Sequence, residues 1–307
     1  MRARSLVTLL LTSSLVATGC PGPGSDESGP PVAEPFTLIV LPDTQYYALS
    51  YPSVLDAMLA WAAGSAEQGG FPFLLHEGDL THENTQEEWD NIRSAFDQIE
   101  GVLPYAACVG NHDLDDDGDD ARFDATFPIG AVSDQEWFGG SHEPDSLANA
   151  WFSFEAGGTP WLVLSLTYAA DSEQLDWADQ LLAEHDDHRV IVLTHAYMAP
   201  DASLSTIGVQ FWQILQNHPQ VSFVLNGHYT DGEAAYLASQ GEYGNTVHQL
   251  FFNMQTRLFG GEGYLRLMSF DPEAGSVDVK TYSPWLDWYQ ETEEHRFVLE
   301  GVDLGAP

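Results

Sequence analysis

Carboxylate, carboxamide and imidazole groups recur at the ends of short apolar runs: Asp43-Thr44-Gln45, Gly78-Asp79, Gly110-Asn111-His112-Asp113, Thr194-His195 and Gly227-His228-Tyr229-Thr230. Together these oxygen and nitrogen donors suit divalent ions of the Mn, Fe or Zn kind. Either Gly-Asp or Gly-His alone would mean little, because such dipeptides mark turns in any fold. Five strand-then-ligand segments in one chain point to a metal-dependent hydrolase.

The runs that must carry these residues are Phe36–Leu41, Phe71–Leu75, Tyr105–Val109, Val190–Leu193 and Val221–Leu225. Their length and bounding turns predict buried strands of an α/β sheet. Open α/β sheets place chemistry just beyond the carboxyl ends of their strands. Helical stripes alternate with them. Val54, Leu55, Met58, Leu59 and Ala62 form one; Trp89, Ile92, Phe96 and Ile99 form another, entered through a Thr85/Glu88 capping box and closed by Gly101. Leu175, Ala178, Leu181 and Leu182 form a third, in a run starting near Asp171, and Val209, Trp212 and Leu215 a fourth. Further strands are expected at Trp151–Phe154, Trp161–Leu166, Val247–Phe252, Tyr264–Phe270 and Val277–Tyr282. Pairs of these split by turns predict an antiparallel second sheet.

The order Asp-x-Gln, Gly-Asp, Gly-Asn-His-Asp, lone His, Gly-His-x-Thr resembles the calcineurin-like metallophosphoesterase superfamily from Phe36 to roughly Glu300. That family's pattern is D-x-H, G-D, G-N-H-[DE], His, G-H-x-H, so Gln45 and Thr230 stand where histidines are usual. Bacterial lipoprotein-like members share the D-x-Q form. The resemblance implies an α/β fold, a calcineurin-like two-sheet β-sandwich flanked by α-helices.

It also implies roles. Asp79 matches the carboxylate bridging two metals; Asn111, His195 and His228 match the remaining ligands of the second; Asp43 and Gln45 match positions on the first. A carboxamide oxygen is a weaker, harder donor than imidazole, and a hydroxyl at Thr230 is poorer still. The first site is thus expected to be weak, with Gln45 either a ligand or only a hydrogen-bond partner of Asp43. Two divalent ions (Mn, Fe, Zn or Mg) would activate water and clamp phosphoryl oxygens. His112 matches the general acid for the leaving alkoxide, since imidazole can carry a proton near neutral pH. Glu83, Asp113 or His82 could orient it. His76 reads as core, and His82, His142, His185, His188, His218, His248 and His295 draw no metal role.

Met1–Gly19 reads as a targeting segment, with Arg2 and Arg4 ahead of an apolar stretch, Leu6–Val16, too short to span a bilayer. Ala17-Thr18-Gly19-Cys20 resembles a lipobox with Cys20 as the acylated residue; ordinary cleavage near Gly19 is the alternative. Residues 20–35 are Pro-, Gly-, Ser- and acid-rich and read as a flexible linker. Residues 36–300 form the domain and 301–307 a tail. The expected location is the bacterial cell envelope or the exterior, with membrane contact only through that anchor. Cys108, inside an apolar run, reads as a buried structural thiol.

The chain carries 47 acids against 9 bases, net charge −38 over 307 residues. Such a surface repels nucleic-acid backbones and anionic membranes, leaving a small phosphate-ester molecule as the expected partner. It also fits a high-salt habitat, where screening removes self-repulsion.

Asp113–Gly118 with Asp124 matches the start of a calcium loop, but position twelve lacks glutamate, so a solvated acidic run is the stronger reading. The stretch between Asp113 and Ala150 is expected to cap the site. Tyr46, Tyr47 and Tyr197 either wall the pocket or pack in the core; Arg257 and Arg122 read as surface bases. Asn253–Gln255 and Thr281–Pro284 have counterparts in the D-x-Q members, without a role the residues themselves suggest. The reading is a metal-dependent phosphomono- or diesterase. Its rivals are a degenerate binding protein without turnover and, on the acidic loop alone, a calcium-dependent adhesin.

Overall fold

The structure, a computed structural model, describes residues 33–307. The targeting segment, Cys20 and most of the linker lie outside the described residues.

Two mixed seven-stranded sheets pack face to face, with helices on both outer faces. In the first sheet β1 (Phe36–Leu41), β2 (Leu74–His76) and β3 (Tyr105–Ala107) run parallel. β11 (Leu265–Asp271) and β12 (Ser276–Ser283) extend it antiparallel past β1. In the second, β6 (Thr159–Ser165), β7 (Arg189–Leu193), β8 (Val221–Asn226) and β10 (Thr246–Phe252) are parallel. β4 (Phe138–Ser141) and β5 (Ala150–Ala156) edge that sheet on one side, and β9 (Ala234–Gln240) on the other.

The expectation of one parallel sheet and one antiparallel sheet is corrected. Each sheet has a parallel centre, because the five ligand-bearing strands divide three and two between them. The turn-linked strand pairs expected together separate likewise, Trp151 and Trp161 joining one sheet, Tyr264–Phe270 and Val277–Tyr282 the other. The polar exterior of β9, and the shortness of β13 (Trp288–Tyr289), hid strands that sequence periodicity did not reveal. β14 (Arg296–Glu300) closes the first sheet against β12.

Aromatic rings seal the inter-sheet layer. Phe36 stacks on Phe270 at 4.6 Å and meets Trp161 of the opposite sheet edge-on at 5.7 Å. Burying such rings and the aliphatic residues around them removes apolar surface worth about 25 cal/mol per Å² from water.

Outside the first sheet lie α1 (Gln45–Ser50), α2 (Pro52–Ala66) and α3 (Gln86–Phe96); outside the second lie α5 (Ser172–Glu184) and α6 (Thr206–Leu215). The Thr85/Glu88 box caps α3 as its spacing predicts, and Asp171 caps α5 with Gln174. In α6 the buried face is Gly208, Phe211 and Leu215; of the expected stripe Leu215 is in the core and Trp212 packs against it, while Val209 is exposed.

The segment after Asp113 is not a cap. Its helix α4 (Ala121–Thr126) turns Phe123 onto Trp89 of α3, and Phe127 packs on Phe96 and Tyr105. Apolar residues spaced through a polar stretch carried that packing. Beyond Glu300, Val302 and Leu304 are buried, and Arg189 donates to the Gly305 carbonyl at 2.6 Å. The assigned tail therefore closes the core.

Candidate metal centre

Six parallel strands end at one place. The loops after β1, β2 and β3 deliver Asp43, Asp79 and Asn111; those after β7 and β8 deliver His195 and His228; that after β10 delivers Asn253 and Gln255. Close approach is built into the backbone. A Cβ at Gly110 would collide with Asp79, and one at Gly227 with the Asp43 carboxylate. Asp79 (φ 49°) and His228 (φ 80°) themselves sit in the left-handed region. That costs on the order of 1–3 kcal/mol per residue, and such strain persists at functional sites where the surroundings fix it.

Asp79, His195 and His228 offer ligand atoms all within 4.8 Å of one another. His195 Nε2 lies 3.1 Å from Asp79 Oδ2, 3.2 Å from Asn111 Oδ1 and 3.1 Å from His228 Nδ1. Its other nitrogen, Nδ1, faces the Glu77 carbonyl at 2.8 Å and must carry a proton to bond there. Nε2 then presents a lone pair to three further lone-pair atoms. Four donors converging in this way repel one another unless a cation lies between them.

Without a metal, a proton answers the same demand. Burial opposes charge on His195, but Asp79, Asp43 and the Glu77 backbone outweigh it and push its pKa up to about 10. Burial and the neighbouring His195 push His228 down to about 4, so it stays neutral. The donor set fits a divalent ion, held by Asp79, Asn111, His195 and His228.

The corner around Asp43 differs. Its Oδ2 accepts from Asn253 Nδ2 at 2.8 Å, Gln255 Nε2 at 3.0 Å and the His228 amide at 3.1 Å. The Asn253 amide is locked, because its Oδ1 takes the Gln255 N–H at 3.0 Å. Burial raises the Asp43 carboxyl to about 8, against the charge of His195 and with the charge of Asp79. Gln45 does not bond Asp43: its Nε2 donates to Asp79 Oδ2 at 3.3 Å, and its Oε1 meets His82 Nδ1 at 2.5 Å. Thr230 is exposed. Asp43, Asp79 and the Gln45 oxygen are what this corner offers a second ion.

His112 stands beside the centre. Its backbone N–H donates to Asp79 Oδ1 at 2.9 Å, and its Nδ1 donates to the His82 carbonyl at 2.7 Å. The orienting group is therefore a backbone carbonyl, and none of the side chains of Glu83, Asp113 or His82. The ring of His82 stacks on His112 at 5.1 Å, which gives a residue without an assigned metal role a positioning one. Asp113 has a different task. Its carboxylate accepts from the N–H groups of Leu80, Thr81 and Gly110 at 2.9–3.1 Å and fastens the two loops together. Those acceptors being spent, Asp113 cannot serve a calcium loop, in line with the reading of 113–124 as a solvated acidic run.

Tyr47 and Tyr197 are core residues: their hydroxyls bond the Gly263 N–H and Gln249. Tyr46 remains at the rim, 4.8 Å from the His82 ring. His76 is buried and bonded to Thr44 at 2.8 Å; Cys108 is buried, with its thiol toward the Leu166 carbonyl. Arg257 is bound to Glu233 through two 2.8 Å bonds. Sequence reasoning missed Glu77 and Arg266, both buried behind Asp43. Burial raises Glu77 well above the usual carboxylate range, opposed by the Arg266 charge.

The fold is that of the metal-dependent phosphoesterases. A family model described as calcineurin-like phosphoesterase matches residues 36–229, and the chain belongs to that family. An uncharacterized protein of Bacillus subtilis (strain 168), YvnB, is 29% identical over 265 residues, covering 84% of this chain. This chain spans only 20% of that relative's length. Among solved structures, the purple acid phosphatase PPD1 from yellow lupin (Lupinus luteus) seeds superposes with a TM-score of 0.58 at 14% identity. That match covers 87% of this chain and 54% of the lupin chain. GAP50, described as the anchor in the inner membrane complex of Plasmodium, superposes at 0.56 with 9% identity, covering 88% and 91%. Likeness at such identities is one of fold.

Proposed function

We propose that the protein hydrolyses a phosphomono- or diester with a divalent ion held by Asp79, Asn111, His195 and His228. The observation that carries this reading is the set of three lone-pair atoms around His195 Nε2, with His112 fastened alongside. A divalent ion there supplies Lewis acidity toward phosphoryl oxygen and toward the attacking water.

The chain's own groups do the rest. Asp79, which would hold the ion through one oxygen, accepts the His112 backbone N–H on the other and so keeps His112 beside the ligand set. The His82 carbonyl accepts a hydrogen bond from the Nδ1–H of His112, so in the protonated imidazole the Nε2–H is the one free to be delivered outward. Water adds to phosphorus, the bond to the alcohol oxygen breaks and that oxygen leaves with the His112 proton; one water proton stays with the phosphate and the other restores His112. The products are an alcohol and a phosphate one ester bond poorer.

The test is hydrolysis of p-nitrophenyl phosphate and its bis ester with Mn, Mg, Zn, Ca or Fe. Asp79→Asn and His112→Ala should each lower turnover at least about 10²-fold. Turnover unchanged in both would reject this centre. Absence of turnover with every ion would favour the second reading, a binding protein on a phosphoesterase frame, which the amide-saturated Asp43 supports.

In this proposal the domain works outside the cytoplasm, anchored by lipid at Cys20. The motif Ala17-Thr18-Gly19-Cys20 behind a basic and apolar start supports that location. Cys20→Ser should release the protein from membranes.

A further inference from the structure

One loop joins the metal centre to an exposed apolar surface. It begins at Asn253 and Gln255, whose amides hold Asp43. It ends at Gly263, whose N–H donates to the Tyr47 hydroxyl at 2.9 Å. Its tip is Leu258-Phe259, with Leu258 70% and Phe259 47% exposed. Phe259 meets Tyr51 edge-on at 5.7 Å and Trp285 at 5.3 Å, so three aromatic rings form one ledge. The ledge adjoins the site through Tyr46. A Cβ at Gly260 would come within 2.9 Å of the Tyr46 Cβ, and Tyr46 leans on His82, which stacks on His112.

The tip is held in an unfavourable conformation. Phe259, Gly260, Gly261, Glu262 and Gly263 all have positive φ, at 55°, 80°, 129°, 54° and 69°. Three are glycines, which tolerate it. Phe259 is a bulky aromatic and does not, so the fold keeps an exposed ring where glycine would fit better. Neither core packing nor solubility explains that ring.

Charge narrows the occupant. Among the described bases Arg93, Arg189, Arg257, Lys280 and Arg296 are each paired with a carboxylate, Arg266 is buried over Phe252, and Arg122 is exposed on a surface it shares with Glu83, Asp115, Asp116 and Asp117. A chain of net charge −38 with these bases so engaged offers little to a multiply charged phosphate. Binding energy beyond the ion is then best supplied by apolar contact.

Resting on the phosphoesterase reading, we infer that the substrate is a singly charged phosphodiester, one alcohol of which carries a bulky apolar group that lies on Tyr51, Phe259 and Trp285. The ledge is a specificity surface of the same site.

The test compares methyl and octyl p-nitrophenyl phosphate, which share a leaving group and differ only in the apolar arm. In the Mn-loaded protein kcat/KM should favour the octyl ester about tenfold, ~1.4 kcal/mol, the worth of about two buried methylenes. Phe259→Gly relieves the backbone, so its thermal midpoint should not fall, while the octyl-to-methyl ratio drops to about twofold. Trp285→Ala should lower the ratio as well. A ratio near one in the unmodified protein, or a ratio that neither variant moves, overturns the inference while hydrolysis itself stands. If neither ester turns over while p-nitrophenyl phosphate does, the inference is overturned and the phosphoesterase reading stands; if p-nitrophenyl phosphate is also inert with every ion, that reading fails and takes this inference with it.

Discussion

The two corners of the metal centre use similar residue types to opposite ends. Around His195 an imidazole, a carboxylate, a carboxamide oxygen and a second imidazole turn lone pairs inward, with the His195 tautomer set by the Glu77 carbonyl. Around Asp43 the carboxamides of Asn253 and Gln255 turn N–H groups inward and satisfy the carboxylate as hydrogen-bond donors do. The same amide can bind a cation or stand in for one. Which it does depends on what its oxygen already holds, and the Asn253 oxygen holds the Gln255 N–H. Residue type alone therefore does not count metals; the second partner of each amide does.

The largest expected contrast comes from His195→Ala. It should remove the tightly held ion and lower phosphodiester turnover about 10²–10³-fold, read by metal analysis and initial rates together. The unmodified protein should retain about one ion per chain after desalting. Two firmly retained ions would erase the difference between the corners.

Chelation comes next. An ion present at 100 times its dissociation constant adds about 2.7 kcal/mol of stability. Its removal should lower the thermal midpoint by roughly 5–10 °C for a domain of this size. A midpoint indifferent to chelator would mean that the His195 corner holds no ion.

A smaller effect is expected from Asn253→Ala, which leaves the buried Asp43 carboxylate short of a donor. The cost should be about 1–3 kcal/mol, measured by denaturant unfolding of the metal-free protein. A neutral result would show that Asp43 does not depend on amide donors. The subtlest change is the gain from Gln45→His combined with Thr230→His. That pair should raise bound metal from about one toward two per chain at saturating Mn, and no second equivalent would show that the amides around Asp43 block the corner.

Much of this centre is legible in the sequence because each ligand directly follows a strand. Asp79, Asn111, His195 and His228 meet where that pattern places them. Asn253 and Gln255 obey the same grammar after β10, yet two amides lack the signal of a carboxylate or imidazole, and their role waited on distances. His82 was harder still. It bonds Gln45 through its ring and His112 through its carbonyl, and no spacing rule reports a backbone acceptor. The sandwich itself followed from the strand pattern and the family resemblance. The division of ligand strands between two sheets did not, since short apolar runs carry no mark of which neighbour they will pair with. The capping expectation for 113–150 failed because Phe123 and Phe127 are too sparse to register as periodic, although two rings suffice to pin the segment down.

Asp79 and Asn111 come from one sheet, His195 and His228 from the other. An ion shared by these four would act as a rivet through both layers of the sandwich. Loading it should slow amide exchange at the ends of β2 and β7 together, although these strands share no hydrogen bond. Metal supply would then govern how firmly the two halves grip, as well as whether a bond is cut.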